Sequence, residues 1–302
     1  MKNFIDINEF SREEILECID DAIETKKKNS HSSSIGSGKV LAMIFEKKST
    51  RTRLSFDVAI RQLGGSSIIL DIGDIHLGAG NENLSDTSKS IALYVDALVL
   101  RVKEHKNIVE MSKNSDIPII NGLSNISHPC QVMADLMTIV EEKGSLDNLN
   151  LVWMGPITNV AHSLVEAFNK KLGFSLTIFC PLSLQRKYEE KCKTHGISFN
   201  NEIFRSNISK DILSKTDVIL TDTWESMGEQ NTKKDLKELQ NFRVSKSIMD
   251  MTPSECLFMH CLPANRNQEV EAKVIDGPSS RVWKEAENRL HIQKQILINC
   301  FS

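Results

Sequence analysis

Val40-Leu41-Ala42-Met43-Ile44-Phe45 is an unbroken apolar run, and Phe56, Ala59, Ile60 and Leu63 recur at helical spacing soon after it. The first pattern predicts a buried strand and the second an amphipathic helix, which Gly64-Gly65 stops. A buried strand feeding a helix is the opening of an α/β unit. The joint between them, Ser49-Thr50-Arg51-Thr52-Arg53, is rich in hydroxyls and arginine. At that joint the first backbone N–H groups of the helix are unpaired and the helix dipole is positive. The hydroxyls of Ser49, Thr50 and Thr52 add donors, and Arg51 adds a planar fork that matches phosphate. The segment therefore reads as an anion site, most naturally for phosphate. An N-cap followed by solvated arginines is the plainer alternative.

The same alternation continues along the chain. Residues 8–27 read as an amphipathic helix, with Ser11 and Glu14 in a capping-box pattern. Residues 28–38 are rich in Ser, Asn and Gly, hence a loop. Strands are expected at 66–70, 97–101 and 117–120, with helices at 84–94 and after Arg101. After a helix at 129–143 a second series begins. It has strands at 149–154, 176–180, 218–221 and 257–260, a helix at 160–172 and a terminal helix over 290–301. Strands alternating with helices predict parallel sheets, and the length suits two domains. The expected organisation is two parallel-sheet αβα domains with an active-site cleft between them. Residues 1–130 form the first and residues 131–284 the second, followed by a C-terminal helix, 285–302. No internal repeat or low-complexity tract interrupts them.

Composition narrows the function classes. A net charge of −3 argues against nucleic acid or an anionic membrane as the main partner. No apolar run approaches a membrane span. The N-terminus has an early acid and no apolar core, so neither a secretory signal nor an Arg-rich transit peptide is expected. Seven cysteines without a CxxC pair suit a reduced chain better than a disulfide framework or zinc ribbon. A cytoplasmic location follows as the expectation.

Ligands of open α/β sheets gather at the carboxyl ends of strands. Arg101, Asp222 and Cys261 stand at or just past such ends, and His128 lies in the loop beyond another. Arg101 closes an apolar strand, where its charge needs a salt bridge or an anion. His128 precedes Pro129, a favourable first helical residue, and read alone is more readily an ordinary loop histidine than a functional one. The pair His260-Cys261 invites a zinc or thiol-nucleophile reading. Adjacent strand residues point to opposite faces, so one metal is not expected to take both. Gly155 forms a strand-end turn, but no dinucleotide fingerprint is present. Asp222 to Gly228 reads as a strand-end loop with a half-buried Trp224.

Several of these stretches resemble one family. Phe45-Glu46-Lys47-Lys48-Ser49-Thr50-Arg51-Thr52-Arg53 is similar to the carbamoyl-phosphate signature of the aspartate/ornithine transcarbamylases. His128-Pro129-Cys130-Gln131, Trp153 to Asn159, Asp222-Thr223-Trp224-Glu225-Ser226-Met227-Gly228, His260-Cys261-Leu262-Pro263 and Glu285-Ala286-Glu287-Asn288-Arg289 each resemble a further motif of that family. The likeness spans nearly the whole chain, and the Asp222 segment matches its ornithine-using branch. It departs at Pro156-Ile157, where the family carries an acidic and a small residue.

The resemblance implies transfer of the carbamoyl group of carbamoyl phosphate to the side-chain amine of L-ornithine, giving L-citrulline and phosphate. It places the chain in arginine biosynthesis, with no cofactor and no metal. By the same likeness Ser49, Thr50, Arg51, Thr52 and Arg289 hold the phosphate, and Arg289 joins the C-terminal helix 285–302 to the first domain. Thr52, Arg101 and His128 meet the carbonyl oxygen, and Gln131 the carbamoyl nitrogen. Asn159, Asp222, Ser226, Met227, Cys261 and Leu262 bind ornithine. Arg101, His128, Asp222 and Cys261 are the residues expected to act in the transfer itself. Related enzymes are trimers, which implies a homotrimer with His76 donated to the neighbouring site.

Overall fold

The computed structural model describes residues 2–28, 34–47, 49–71, 83–225 and 231–302. The chain divides into two compact units, Met1–Met137 with Glu287–Ser302, and Thr138–Ala286. The division falls inside the helix that begins at Pro129, a few residues beyond the boundary expected at 130.

The first unit opens with α1 (Arg12–Lys27). Ser11 Oγ accepts from Glu14 N, and Ser11 N donates to Glu14 Oε2 at 2.7 Å, a complete capping box. Residues 7–9 form a separate 3-10 turn, so the helix starts later than its apolar pattern suggests. Then follow β1 (Val40–Phe45), α2 (Thr50–Gln62), β2 (Ser66–Asp71), α3 (Leu84–Ala92), β3 (Ala97–Arg101), α4 (His105–Lys113), β4 (Ile119–Leu123) and α5 (Pro129–Lys143). The strands pair in the order β2-β1-β3-β4, all parallel. Leu41, Ala42, Met43 and Ile44 of β1 are fully buried, which is why this strand has no polar alternation. Ala42 and Ile44 pack with Leu98, Leu100 and Ile119 of the sheet and with Leu84, Ile108 and Met111 of the helices. The N-terminal segment covers the outer edge of β4. Phe4 N donates to Ile119 O at 2.9 Å and Asn121 N donates to Phe4 O at 2.8 Å.

The second unit contains β5 (Asn150–Met154), α6 (Asn159–Asn169), β6 (Ser175–Phe179), α7 (Leu182–His195), β7 (Phe204–Arg205), α8 (Lys210–Leu213), β8 (Val218–Thr221), α9 (Lys233–Leu239), α10 (Lys246–Met249), β9 (Leu257–His260), α11 (Ala272–Ile275) and the start of α12 (Val282–Phe301), whose remainder from Glu287 belongs to the first unit. Its strands are also all parallel, in the order β7-β6-β5-β8-β9. The elements from α7 to α8 carry no motif and were not legible as elements in the sequence. The terminal helix begins at Val282, eight residues before its apolar pattern at Leu290 becomes clear. No helix among the described residues is long and apolar enough to cross a membrane.

Both sheets have a point where the strand order reverses. In the first it lies between β1 and β3, and in the second between β5 and β8. Helices leave such neighbouring strands to opposite faces, which opens a crevice at their carboxyl ends. Of the predicted site residues, Ser49 to Thr52 follow β1, Arg101 ends β3, Asn159 follows β5 and Asp222 follows β8, whereas His128 and Gln131 follow β4, Cys261 and Leu262 follow β9, and Arg289 lies on α12.

The joint at the far end of α2 sets how β2 lies against β1. Gly64 takes the left-handed conformation, with φ 87°, and ends the helix. Gly65 N then donates to Ile60 O at 2.9 Å. A Cβ on Gly65 would lie 2.8 Å from the carbonyl oxygens of both Gly36 and Lys39. These are backbone atoms that cannot rotate away. Gly65→Ala should therefore cost about 1–3 kcal/mol. It should lower the urea midpoint with little change in slope, and an unaltered midpoint would show that residues 36–39 are not held against this turn.

Candidate active site

In the first unit the predicted residues converge on Thr52. Ser49 caps α2, its side chain accepting from Thr52 N at 3.4 Å. The capping reading therefore holds, and it brings the hydroxyl-rich first turn to the end of β1 without excluding an anion there. Thr52 is buried, and its Oγ1 accepts from Arg289 Nη2 at 3.0 Å and from Arg101 Nη1 at 3.4 Å. A hydroxyl whose two lone-pair directions face guanidinium donors keeps its own hydrogen for a further acceptor. Thr50 and Arg51 begin the helix ahead of its first intrahelical bond, from Arg53 N to Ser49 O. Arg51 is half-buried in this first turn.

His128 is buried beside these arginines. Its imidazole is held well below its ordinary value of 6.5, first by desolvation and then by the charges of Arg289, Arg101 and Arg51. It is therefore neutral at neutral pH and offers one N–H donor. Its neighbour Cys130 is a different kind of group. Burial pushes that thiol up to about 12, although Arg289 pulls the other way, and its Sγ points to Asn121 O at 3.4 Å. Gln131 lies one helical turn before Asp135. Gln131 Nε2 donates to Asp135 Oδ1 at 2.8 Å, and Gln131 Oε1 accepts from Arg289 Nη1 at 2.7 Å. With its amide oriented to satisfy its surroundings, Gln293 accepts from Arg289 Nε and Nη2 at 3.0 Å and donates to Ser55 Oγ. Arg289 is thus gripped by Thr52, Gln131 and Gln293. Sequence reasoning missed Asp135 and Gln293. Their helical offsets of four from Gln131 and Arg289 were the available signal.

In the second unit Asp222 follows β8 and is buried. Its Oδ1 accepts from Cys261 Sγ at 3.0 Å and from Thr223 N at 2.7 Å. Asn159 opens α6 after the Gly155 turn, where φ is 122°, and is also buried. The unusual residues of that turn are accommodated locally: Trp153 Nε1 donates to Pro156 O at 2.9 Å, and Ile157 is buried. Trp224 is wholly buried rather than half-buried, because the loop after β8 folds its indole inward.

The expectation that His260 and Cys261 face apart does not hold. Strand β9 ends at His260, and Leu262 takes φ 54°, so strand alternation no longer applies at Cys261. Ligand atoms of Asp222, His260 and Cys261 all lie within 4.8 Å of one another. Such a donor set matches zinc chemistry. One ring nitrogen of His260 is engaged inside the protein: Nδ1 accepts from Leu262 N at 2.9 Å, whereas Nε2 lies 3.3 Å from Glu269 Oε1 without a hydrogen bond. Metal uptake through Nδ1 would have to displace the Leu262 contact. Cys261 is partly exposed, unlike the other six cysteines, which are buried. His76, Ser226 and Met227 lie outside the described residues.

Residues 2–141 match the family model for the carbamoyl-P binding domain of aspartate/ornithine carbamoyltransferase, and residues 147–300 match that for the Asp/Orn binding domain. An ornithine carbamoyltransferase of Rhizorhabdus wittichii is 44% identical over 263 residues, 87% of this chain and 84% of the relative. Among solved structures, the ornithine carbamoyltransferase from Pyrococcus furiosus superposes with a TM-score of 0.86 at 38% identity, covering 98% of this chain and 96% of the other. The anabolic ornithine carbamoyltransferase from Campylobacter jejuni gives 0.84 at 33% identity, covering 99% of each.

The state of His128 has a consequence for stability. Between its depressed native value and 6.5 the unfolded chain binds a proton that the native chain does not, so stability rises with pH across that window. As pH falls below 6.5, His128 should cost up to about 1.4 kcal/mol per pH unit. Urea unfolding of His128→Asn between pH 7 and pH 5 should show a slope shallower by up to one proton. An identical slope in both proteins would mean that His128 is not held neutral.

Proposed function

Because the chain belongs to the aspartate/ornithine carbamoyltransferase family, we propose that it transfers the carbamoyl group of carbamoyl phosphate to the side-chain amine of L-ornithine. The products are L-citrulline and phosphate. The observation that carries the reading is the cluster in the first unit. Two guanidiniums, Arg101 and Arg289, donate to one buried threonine, and their charges with that of Arg51 act on a buried, neutral imidazole.

The chemistry follows from these groups. Arg51 and Arg289, with Ser49, Thr50 and Thr52, hold the phosphate. Thr52, Arg101 and His128 donate to the carbonyl oxygen. The neutral amine of ornithine attacks the carbonyl carbon, whose π electrons move onto that oxygen. Donors fixed before the reaction stabilise the oxyanion without reorganising. As the carbonyl re-forms, the bond to the phosphate oxygen breaks and phosphate leaves with its electron pair. The nitrogen passes a proton to the departing phosphate and becomes the amide nitrogen of citrulline. Carbamoyl phosphate is already activated, so no cofactor enters the scheme.

Acceptor binding is assigned to residues of the second unit, Asn159, Asp222, Cys261 and Leu262, with Ser226 and Met227 from the same motif. Asp222 is a buried carboxylate that takes a thiol hydrogen bond, an environment suited to an ammonium or amine. This assigns carbamoyl phosphate to residues 1–130 with 285–302, and ornithine to residues 131–284. A place in arginine biosynthesis and a cytoplasmic location complete the reading.

A homotrimer that shares His76 between subunits is part of the same proposal. Leu54 and Val58 lie one turn apart on α2 and are 57% and 36% exposed, and Ile68 on the edge strand β2 is 47% exposed. Apolar side chains left outside on adjacent elements support self-association there.

Two measurements test this. Arg51→Ala should fold normally and lose roughly 100-fold or more in kcat/KM with carbamoyl phosphate. Wild-type protein should carbamoylate L-ornithine in preference to N-acetylornithine, N-succinylornithine and putrescine. Near-normal turnover in folded Arg51→Ala, or preference for another acceptor, would overturn the reading. For the shared site, Arg51→Ala and His76→Ala trimers are dissociated, mixed equally and reassembled. About a quarter of the sites should then be intact, since each site needs one particular variant in each of two positions. Mixed trimers no more active than their parents would exclude sharing.

A further inference from the structure

Asp135 is a buried carboxylate that no step above uses, and it sits four residues after Gln131 on the same face of α5. The amide of Gln131 can be oriented in two ways that differ by exchange of its oxygen and nitrogen. Arg289 decides between them. A guanidinium has five donors and no acceptor, so only the amide oxygen can face it, as it does at 2.7 Å. The amide nitrogen is then turned away from Arg289 and meets Asp135 Oδ1 at 2.8 Å. Both residues are buried, so water does not substitute for either partner.

We infer that Asp135 is a positioning residue that fixes the Gln131 amide with its oxygen on the Arg289–Thr52 side, and so makes this site select an amino-bearing acyl phosphate over a methyl-bearing one. The inference rests on the carbamoyl phosphate reading. A carbonyl oxygen has two acceptor directions, so Gln131 Oε1 can take an N–H from a ligand while it holds Arg289. The carbamoyl nitrogen provides that N–H. The methyl group of acetyl phosphate is of similar size and cannot, so it gains no hydrogen bond at the Gln131 oxygen. Without Asp135 the amide nitrogen loses that hydrogen bond, and the Gln131 amide is held less firmly beside the ligand. Asp135 touches no ligand itself and acts through Gln131.

The test uses two stable analogues that differ in one group, phosphonoacetamide, with NH2, and acetonylphosphonate, with CH3. Calorimetry on the full-length protein gives the ratio of their dissociation constants. Wild-type protein should favour phosphonoacetamide by about tenfold or more. Asp135→Ala should bring the ratio close to one, mainly by weakening phosphonoacetamide. Asp135→Asn keeps an oxygen that can accept from Gln131 and should restore most of the preference. Gln131→Met should also abolish it, and adding Asp135→Ala to Gln131→Met should change the ratio no further. A folded Asp135→Ala protein with the wild-type ratio overturns the inference. If Asp135→Ala does not fold, a wild-type ratio in Gln131→Met overturns it instead. Equal wild-type affinity for both analogues overturns the inference alone, whereas wild-type binding of neither overturns the carbamoyl phosphate reading beneath it.

Discussion

The hydroxyl of Thr52 joins two guanidiniums that come from distant parts of the chain, Arg101 at the end of β3 and Arg289 on the terminal helix. Much of the first unit's chemistry depends on that junction. Like charges held close together repel. The arrangement persists because a network of neutral acceptors, Thr52, Gln131 and Gln293, holds Arg289 in place. Its electrostatic consequence is visible at His128, which is kept neutral by burial and by the same positive charges. A site built this way favours an anion twice over, through direct hydrogen bonds and through relief of repulsion.

The second unit has the opposite character. Its focus is one buried carboxylate, Asp222, bonded to a thiol and a backbone N–H. Behind it, His260 accepts from Leu262 N through one nitrogen and faces Glu269 through the other, while Glu285 accepts from His260 N at 2.9 Å. These contacts hold the backbone of the Cys261 segment after the strand has ended. One unit thus presents fixed positive donors and the other a fixed negative acceptor.

Topology explains why functional residues of each unit fall on a few loops. In both sheets the first strand of the series is central and later strands add on either side, so the reversal point lies next to it. Loops after those neighbouring strands turn apart and leave backbone and side-chain donors exposed to a ligand. The segments after β1 and β5 are short turns that open helices, which is where anion- and substrate-binding groups are cheapest to build.

Patterns carried by near neighbours were legible in the sequence. The buried strand β1, the Ser11–Glu14 capping box, the stop at Gly64-Gly65 and the strand ends bearing Arg101 and Asp222 all rest on contacts within a few residues. Resemblance to a family then supplied roles for His128, Gln131 and Arg289 that single residues do not carry. The elements from α7 to α8 were not legible, because no motif and no clear periodicity marks them. Tertiary structure alone decided that Arg289 reaches Thr52, that Asp135 fixes Gln131, that Trp224 is wholly buried, and that His260 and Cys261 share one side. The physical reason is range. Periodicity, capping and turn chemistry are set by the local chain, whereas the partner of a buried polar group is chosen only when distant segments pack and exclude water.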